Sequence, residues 1–359
     1  LKVFVDDFRK RHPEEIVLND ARRILFDVQQ LLGPIATQYS IEQAMKSKRV
    51  LLADPNKKQQ LIAKMALGGS GVELEAVSSV EEGRAKLETN NYDLVFVDPS
   101  LLELAQVARD KSATLGLVLM TSASIPTYLP ALKQLTAIPH IVSRDEADRV
   151  FTVKNIMTTV TKLLSREYFG LEKYLSWGVE VQSQPVVSSS GREEVIQHVD
   201  GYFEKVGIRR ANRDRIRLVL EEMLMNAIYD APTDKDGKST YNHLPRTTEV
   251  VLSPAEQGLV RFATDGMLVA VSVQDPFGAL TGATILRYLE HNYSGTVGDL
   301  NSNEGKGGAG RGLHQILENS DLVVFNVDPG KKTEAIALFN VEVKEAVQKN
   351  PSFHLFIKS

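Results

Sequence analysis

Five short apolar runs between residues 49 and 143, separated by helix-patterned segments, constrain the fold of this chain more than any other feature. RVLLAD (49–54) is apolar until it ends in Asp54, as befits a strand buried on both faces of a parallel sheet. VELEAV (72–77), YDLVFVD ending at Asp98, GLVLMTS (116–122) and HIVS (140–143) follow it, with helices predicted at 57–67, 80–88 and 145–166. Strands alternating with helices across 48–166 predict a doubly wound α/β unit. Ligand-binding groups in such sheets collect at the carboxyl ends of the strands, where Asp54, Asp98 and Thr121 fall.

On those residues, 48–166 resembles a response-regulator receiver domain. The resemblance implies that Asp98 is the phosphoacceptor candidate, Thr121 the switch hydroxyl and Asp54 the first of the acidic pair that holds magnesium. Two positions depart from the family pattern. Pro55 replaces the second acid, and Ser143-Arg144 stand where receivers place a lysine. A phosphoryl group on Asp98 would lack one metal ligand and its usual cationic partner, both of which offset its concentrated negative charge. Arg144 offers a cation there, but its planar fork does not sit like a point ammonium. The expectation is a pseudo-receiver that works as a scaffold or docking surface.

Residues 1–47 read as a helical lead-in, with apolar positions Ile24, Leu25, Val28, Leu31 and Leu32 at helical spacing before Gly33-Pro34. His12, beside Pro13 and two glutamates, reads as an exposed polar residue near a helix start. Residues 167–191 read as a linker, because SQPVVSSSG (183–191) is rich in Ser with Pro185 and Gly191.

A second pattern begins at 192, and 192–345 is expected to be α+β. LVLEEMLMNAIYDAP (218–232) is its central helix. Ile216, Val219, Leu220, Met223, Leu224 and Ala227 recur at helical spacing and mark a buried face. Leu218, Glu222, Asn226 and Asp230 follow one another four residues apart, along one stripe. A carboxylate and a carboxamide deep in an apolar helix are costly to bury unless something binds them. Strands are predicted at TEVVLS (248–253), LVRFATD (259–265) and MLVAVSVQD (267–275), then at LVVFNV and EAIALFNVEV. Helices are predicted at 284–292 and 311–320, and 346–359 is left as a C-terminal tail.

Glu222 with Asn226, Asp275 at a strand end, and GKGGAGRGL (305–313) before a helix are each weak signals alone. Together and in this order they resemble the GHKL (Bergerat) ATPase sandwich of sensor histidine kinases, gyrase-type ATPases and anti-sigma-factor serine kinases. The likeness covers roughly 192–343. It implies that Asn226 coordinates Mg²⁺ and that Glu222 orients or deprotonates an attacking hydroxyl. It also implies that Asp275 accepts the adenine amino proton of ATP. Gly308, Gly310 and Gly312 would let backbone approach the phosphates, Lys306 would be a lid cation within 279–307, and Gly278 and Thr333 would complete the site. The family's Asp-x-Gly-x-Gly box reads Asp275-Pro276-Phe277-Gly278-Ala279 here, which stiffens the loop and brings Phe277 near the adenine pocket.

No histidine-bearing dimerisation helix precedes this unit, which disfavours a histidine kinase. The expected function is a bacterial-type signalling protein whose C-terminal domain binds Mg-ATP. It would act as a serine/threonine protein kinase on a partner protein, a signalling regulator or anti-sigma-type target, under control of the degenerate receiver. The alternative is an adaptor that senses nucleotide, or needs none, and works by protein binding. A net charge of −4 gives no electrostatic case for nucleic acid or an anionic membrane, and the absence of cysteine excludes thiolate chemistry. No apolar run approaches the ~20 residues of a membrane span, so a cytoplasmic protein is expected. A homodimer is an open option, since kin of both domains often dimerise.

Overall fold

The computed structural model describes residues 45–358, apart from 69, 113–114, 134–139, 145–148, 177, 294–308 and 342–351. Most of the expected helical lead-in, Trp177, Lys306 and Gly308 therefore lie outside the described residues.

The apolar runs form the strands their composition demands. Strands β1 (Arg49–Ala53), β2 (Glu73–Val77), β3 (Leu94–Val97), β4 (Gly116–Thr121) and β5 (His140–Ser143) pair in parallel in the order β2-β1-β3-β4-β5. This is a doubly wound order, with the direction of winding reversing between β1 and β3. The central strands are buried on both faces, whereas β2, at the edge, keeps the half-exposed alternation of ELEAV. Helices α1 (Lys57–Leu67), α2 (Val80–Thr89), α3 (Glu103–Lys111), α4 (Ile125–Leu132) and α5 (Arg149–Ser165) complete the unit. Their starts are written locally. Asn56 caps α1 by accepting from the Lys58 and Gln59 amides, and Ser79 caps α2 while Glu82 reaches back to the Ser78 amide.

The second half is an antiparallel sheet, β6 (Gln182–Val186), β7 (Gly258–Thr264), β8 (Leu268–Asp275), β10 (Lys332–Asn340) and β9 (Leu322–Asp328), paired in that spatial order. Helices α6 (Arg192–Lys205), α7 (Arg210–Met225), α8 (Gly282–Tyr293) and α9 (Ala309–Asn319) belong to this half. Helix α7 buries Ile216, Val219, Leu220, Met223 and Leu224, the face its periodicity marks, and leaves Leu218 exposed. Three expectations are corrected here. TEVVLS does not form a strand: Val251 makes one isolated bridge to Ser188, with Val250 and Leu252 bonding the backbone of Ser189 and Val187. The expected linker contains β6, an edge strand that tolerates Pro185, since an edge position need not donate on both sides.

The third correction is the largest. Residues 352–357 of the expected tail form β11 (Ser352–Ile357), in the middle of the sheet. It runs parallel to β9 from Ser352↔Leu322 to Ile357↔Val327, and meets β5 antiparallel at Leu355↔Ile141. Ser143 Oγ accepts from the Phe353 amide at 2.9 Å and donates to the Phe353 carbonyl at 3.0 Å. The two half-sheets thereby become one of eleven strands. Burying Phe353, Leu355 and Phe356 completely contributes about 1.5–3 kcal/mol for each side chain.

Polar contacts cross the same seam. Lys162 of α5 is fully buried, donating to Tyr174 Oη at 2.9 Å and Asn326 Oδ1 at 2.7 Å, with its ammonium 3.7 Å from the Phe356 ring centre. Asn326 in turn donates to buried Glu334, whose carboxylate also accepts from the Gly170 amide and Gln274. Desolvation holds the Lys162 ammonium well below its ordinary value, against the pull of Glu334.

Candidate functional site

The polar stripe of the central helix does not continue as a plain α-helix. After Met225 the chain makes a π turn over Asn226–Asp230, with the Ala231 amide bonding the Asn226 carbonyl at 2.9 Å. Single π turns inside helices concentrate at functional sites, because the extra residue re-aims side chains. Asn226 and Asp230, with Met223, Ala227 and Ala231, line a cleft of about 170 Å³ between α7 and the sheet. Its other walls include Asp275 and Val273 of β8, Thr333 and Ala335 of β10, Ile285 of α8 and Leu313 of α9. It is mainly apolar, with a few polar groups converging on it, as small-molecule sites are.

Glu222 sits beside this cleft, against the start of α9. A Cβ on Gly312 would lie 2.7 Å from Glu222 Oε2 and 3.8 Å from Asn226 Oδ1, so a side chain here would push the Glu222 carboxylate aside. Desolvation and the neighbouring Glu221 raise the Glu222 carboxyl, Asp230 adds to the effect, and Arg246 opposes it. Gly310 lies in the first turn of α9.

Asp275 ends β8 and turns back on its own loop. Its Oδ1 accepts from the Phe277 amide at 3.0 Å and the Gly278 amide at 3.3 Å, an Asx turn that fixes the carboxylate. Burial pushes its carboxyl up to about 6, although the two amides and Thr333 pull it down. Thr333 stands opposite Asp275 in the β8–β10 ladder. Its hydroxyl is buried without a well-aligned hydrogen bond, though near enough to Asp275 to help hold that charge. Gly278 has φ +62°, and a Cβ there would come within 2.2 Å of the Asp328 carbonyl. Its glycine is thus required by the β9–β10 turn, not by open space in the cleft. Ala279 and Leu280, rather than Phe277, reach the cleft wall.

Arg246 is the site residue that sequence reasoning misses. It lies in a polar loop, yet its Nη2 contacts both Asp230 oxygens, at 2.8 and 2.7 Å, and its guanidinium lies 4.8 Å from the Tyr229 ring centre. Nothing local in the sequence signals a pair formed across sixteen residues of loop. Burial raises the Asp230 carboxyl and Arg246 lowers it.

The receiver-like unit brings Asp54, Asp98 and Thr121 to one end of its sheet, as expected, and adds Arg144. Arg144 Nη1 donates to Asp54 Oδ2 at 2.5 Å and Nη2 to Asp98 Oδ2 at 3.0 Å. Asp54 is fully buried and Arg144 nearly so. Asp54 Oδ1 accepts from the Asn56 amide, and Asp98 Oδ1 from the Ser100 amide and hydroxyl. Thr121 Oγ1 accepts from the Ala123 amide at 2.9 Å. One guanidinium fork therefore spans both carboxylates, a geometry suited to planar bidentate pairing. Among the described residues, no group of three or more acidic, His or Cys side chains is placed to hold a metal.

No family model and no curated protein matches this chain. Solved structures of response regulators match about a third of it. A chemotaxis response regulator of Vibrio cholerae is 16% identical, covering 33% of this chain and 99% of that chain, with a TM-score of 0.29. A CheY-like receiver domain protein of Methanospirillum hungatei is 18% identical over 34% of this chain and 99% of that chain, TM-score 0.29. The response regulator TrrA of Thermotoga maritima, in complex with Mg²⁺ and BeF, is 28% identical over 32% and 98%, TM-score 0.27. The receiver-like fold of 48–166 rests on its own strand ladder and helix order. No helix of the described residues is long and apolar enough to cross a membrane.

Proposed function

We propose that this is a signalling protein in which the half carrying α7 is a GHKL-like nucleotide site. In this reading it binds Mg-ATP and phosphorylates serine or threonine on a partner protein, and the receiver-like half regulates it. The observation that carries the reading is the meeting of Asn226, Asp275 and Thr333 on one apolar-walled cleft, with Glu222 at its edge against Gly312. These residues come from four separate segments.

The donor set fits the ligand. Asp275 Oδ1 is taken by its own turn, which leaves Oδ2 to accept from an exocyclic amino group, and the neighbouring Thr333 hydroxyl lacks an aligned partner. Val273, Ala335, Ile285 and Leu313 suit a flat heterocycle. Asn226 supplies one carbonyl oxygen toward a magnesium ion whose other ligands would be phosphates and waters. Bound Mg-ATP would supply the transferable phosphoryl group. Glu222, made more basic by desolvation and Glu221, would take the proton of the incoming hydroxyl.

A physical route for regulation runs through α4 and α8. Ile125, Tyr128, Leu129 and Leu132 of α4 share one hydrophobic core with Ile285 and Leu289 of α8, and Lys133 pairs with Glu290. Thr284, Ile285 and Tyr288 of α8 wall the cleft. Incubating the protein with Mg-ATP and candidate partners should yield phosphoserine or phosphothreonine, lost in Glu222→Ala. Transfer that survives this substitution refutes the assignment.

The adaptor reading keeps one specific observation in its favour, the clamp of Arg144 on Asp54 and Asp98. It supplies from within the chain the positive charge that a metal and a lysine supply in receivers. Calorimetry with ATP and Mg²⁺ separates the two readings: no binding heat favours the adaptor.

A further inference from the structure

The π turn that ends α7 is a rare winding, and something outside the helix has to hold it. Its last two residues are gripped by the loop that follows. Tyr229 is fully buried, and its hydroxyl donates toward two carbonyls, Thr248 at 2.7 Å and Arg246 at 3.1 Å. Arg246 returns the contact, its Nη2 reaching both Asp230 oxygens while its guanidinium lies against the Tyr229 ring. Residues 246–248 are thus stapled onto a single turn of helix.

The grip bears directly on the cleft. Asn226, Ala227, Asp230 and Ala231 line it, and all lie in or beside the π turn. Side-chain directions follow the winding, so a return to α geometry would change the angle between Asn226 and Asp230. Among the described residues that line the cleft, the charged ones are Asp230 and Asp275, both acidic. Burial raises the Glu222 and Asp230 carboxyls, and Arg246 is the cation that opposes the rise in both. Arg246 Nη1 is buried without a hydrogen-bond partner. Stability alone does not account for this arrangement, since desolvation of such a pair offsets much of its attraction and the unbonded nitrogen adds a cost.

We propose that Arg246 is a positioning residue for the cleft: by holding Asp230 it fixes the π turn, and the turn aims Asn226 at the metal of a bound nucleotide. The hold on the turn stands on the contacts alone, whereas the metal rests on the nucleotide reading above. In this role Arg246 touches no reacting atom and acts through Asp230 and the backbone of 226–231.

Hydrogen exchange and calorimetry on the full chain, as wild type, Arg246→Gln and Arg246→Lys, test the proposal. The Ala231 amide closes the π turn at the Asn226 carbonyl. It should exchange about tenfold faster in Arg246→Gln, the loss expected for a charge-assisted contact. Amides of residues 218–224 should keep their protection, which separates loss of the staple from loss of the fold. The magnesium concentration that supports half-maximal ATP binding should rise about tenfold in Arg246→Gln, and adenosine affinity should not change. Charge alone predicts the reverse, because removing a cation beside Asp230 and Glu222 strengthens their attraction for Mg²⁺. Arg246→Lys, which keeps a cation at Asp230, should recover part of both effects. Unchanged exchange at Ala231 in Arg246→Gln would overturn the proposal, as would a magnesium requirement that stays level or falls. If the wild type binds no ATP, the nucleotide reading fails, and exchange at Ala231 alone decides the role of Arg246.

Discussion

His354 lies at the seam between the halves, and its titration gives a direct measure of how strongly β11 is held there. Its ring is buried, Nε2 lies 3.2 Å from the Ser143 carbonyl, and Nδ1 has no hydrogen-bond partner. A carbonyl only accepts, so Nε2 carries the proton and a second proton would have to sit on the unpartnered Nδ1, near the Lys162 ammonium. Burial, with Lys162 adding to it, lowers the imidazole from 6.5 to about 3. The unfolded chain then binds more protons than the folded one between pH 6.5 and 3, so stability falls as pH drops through that window. At pH 5, about 1.5 units below the unfolded value, the loss is about 2 kcal/mol relative to neutral pH, at about 1.36 kcal/mol per unit. His140, lowered by burial to about 3, acts in the same direction. Asp275, raised by burial, acts in the opposite direction. The substitution His354→Leu cancels these background contributions. It also leaves the Ser143 carbonyl satisfied, because Asn155 Nδ2 donates to it at 3.1 Å. Urea unfolding of both proteins at pH 7 and pH 5 should show wild type losing about 2 kcal/mol more than the variant. Parallel pH dependences in the two proteins would refute the reasoning.

Four further outcomes are expected. With the Asp275 carboxyl at about 6, adenine nucleotide affinity should fall roughly tenfold from pH 7 to pH 5 as the accepting oxygen is protonated, measured by calorimetry at each pH. Gly312→Ala places a methyl 2.7 Å from Glu222 Oε2, so single-turnover phosphate transfer should fall more than nucleotide affinity or thermal stability, since the displaced group is the end of a flexible side chain. Arg144→Ala leaves buried Asp54 facing Asp98 without a cation and should cost about 3–5 kcal/mol by chemical unfolding; added Mg²⁺ should restore part of that loss. Lys162→Met leaves Asn326 Oδ1 buried without its donor and should destabilise by about 1–3 kcal/mol, read by the same assay.

What the sequence could show of this protein depended on how local each signal is. Doubly apolar runs such as LVFV and GLVLMT specify central parallel strands on their own, and structure and expectation agree there. The buried face of α7 follows in the same way from side chains three and four residues apart. FHLF (353–356) is also an apolar run, but nothing in its own composition says which sheet it joins. Its place is set by pairing with Leu322–Val327 and by Ser143, more than 200 residues away, neither of which periodicity can report. TEVVLS failed for the converse reason: its apolar residues find side-chain burial at Val250 and Leu252 without a full ladder partner. The same division holds at the candidate site. Glu222 and Asn226 stand out as polar residues in an apolar helix, whereas Arg246 and the double grip of Arg144 exist only once distant segments meet.

Because β11 pairs with β5 on one side and β9 on the other, the two halves share backbone hydrogen bonds as well as side-chain contacts. Lys162, Asn326 and Glu334 reinforce the join in a dry interior, where a polar group left unpaired costs about 1–3 kcal/mol. A domain joined by a flexible linker could change state alone. Here a shift of α4 relative to β5 would strain the core it shares with α8, and α8 walls the cleft. Packed cores have discrete arrangements rather than a continuum, so such a shift would move Ile285 and Tyr288 between defined positions. Under the proposed function, a shift of the receiver-like half would reach the cleft through this packing without a phosphoryl group on Asp98. That is consistent with an acidic pocket already closed by Arg144.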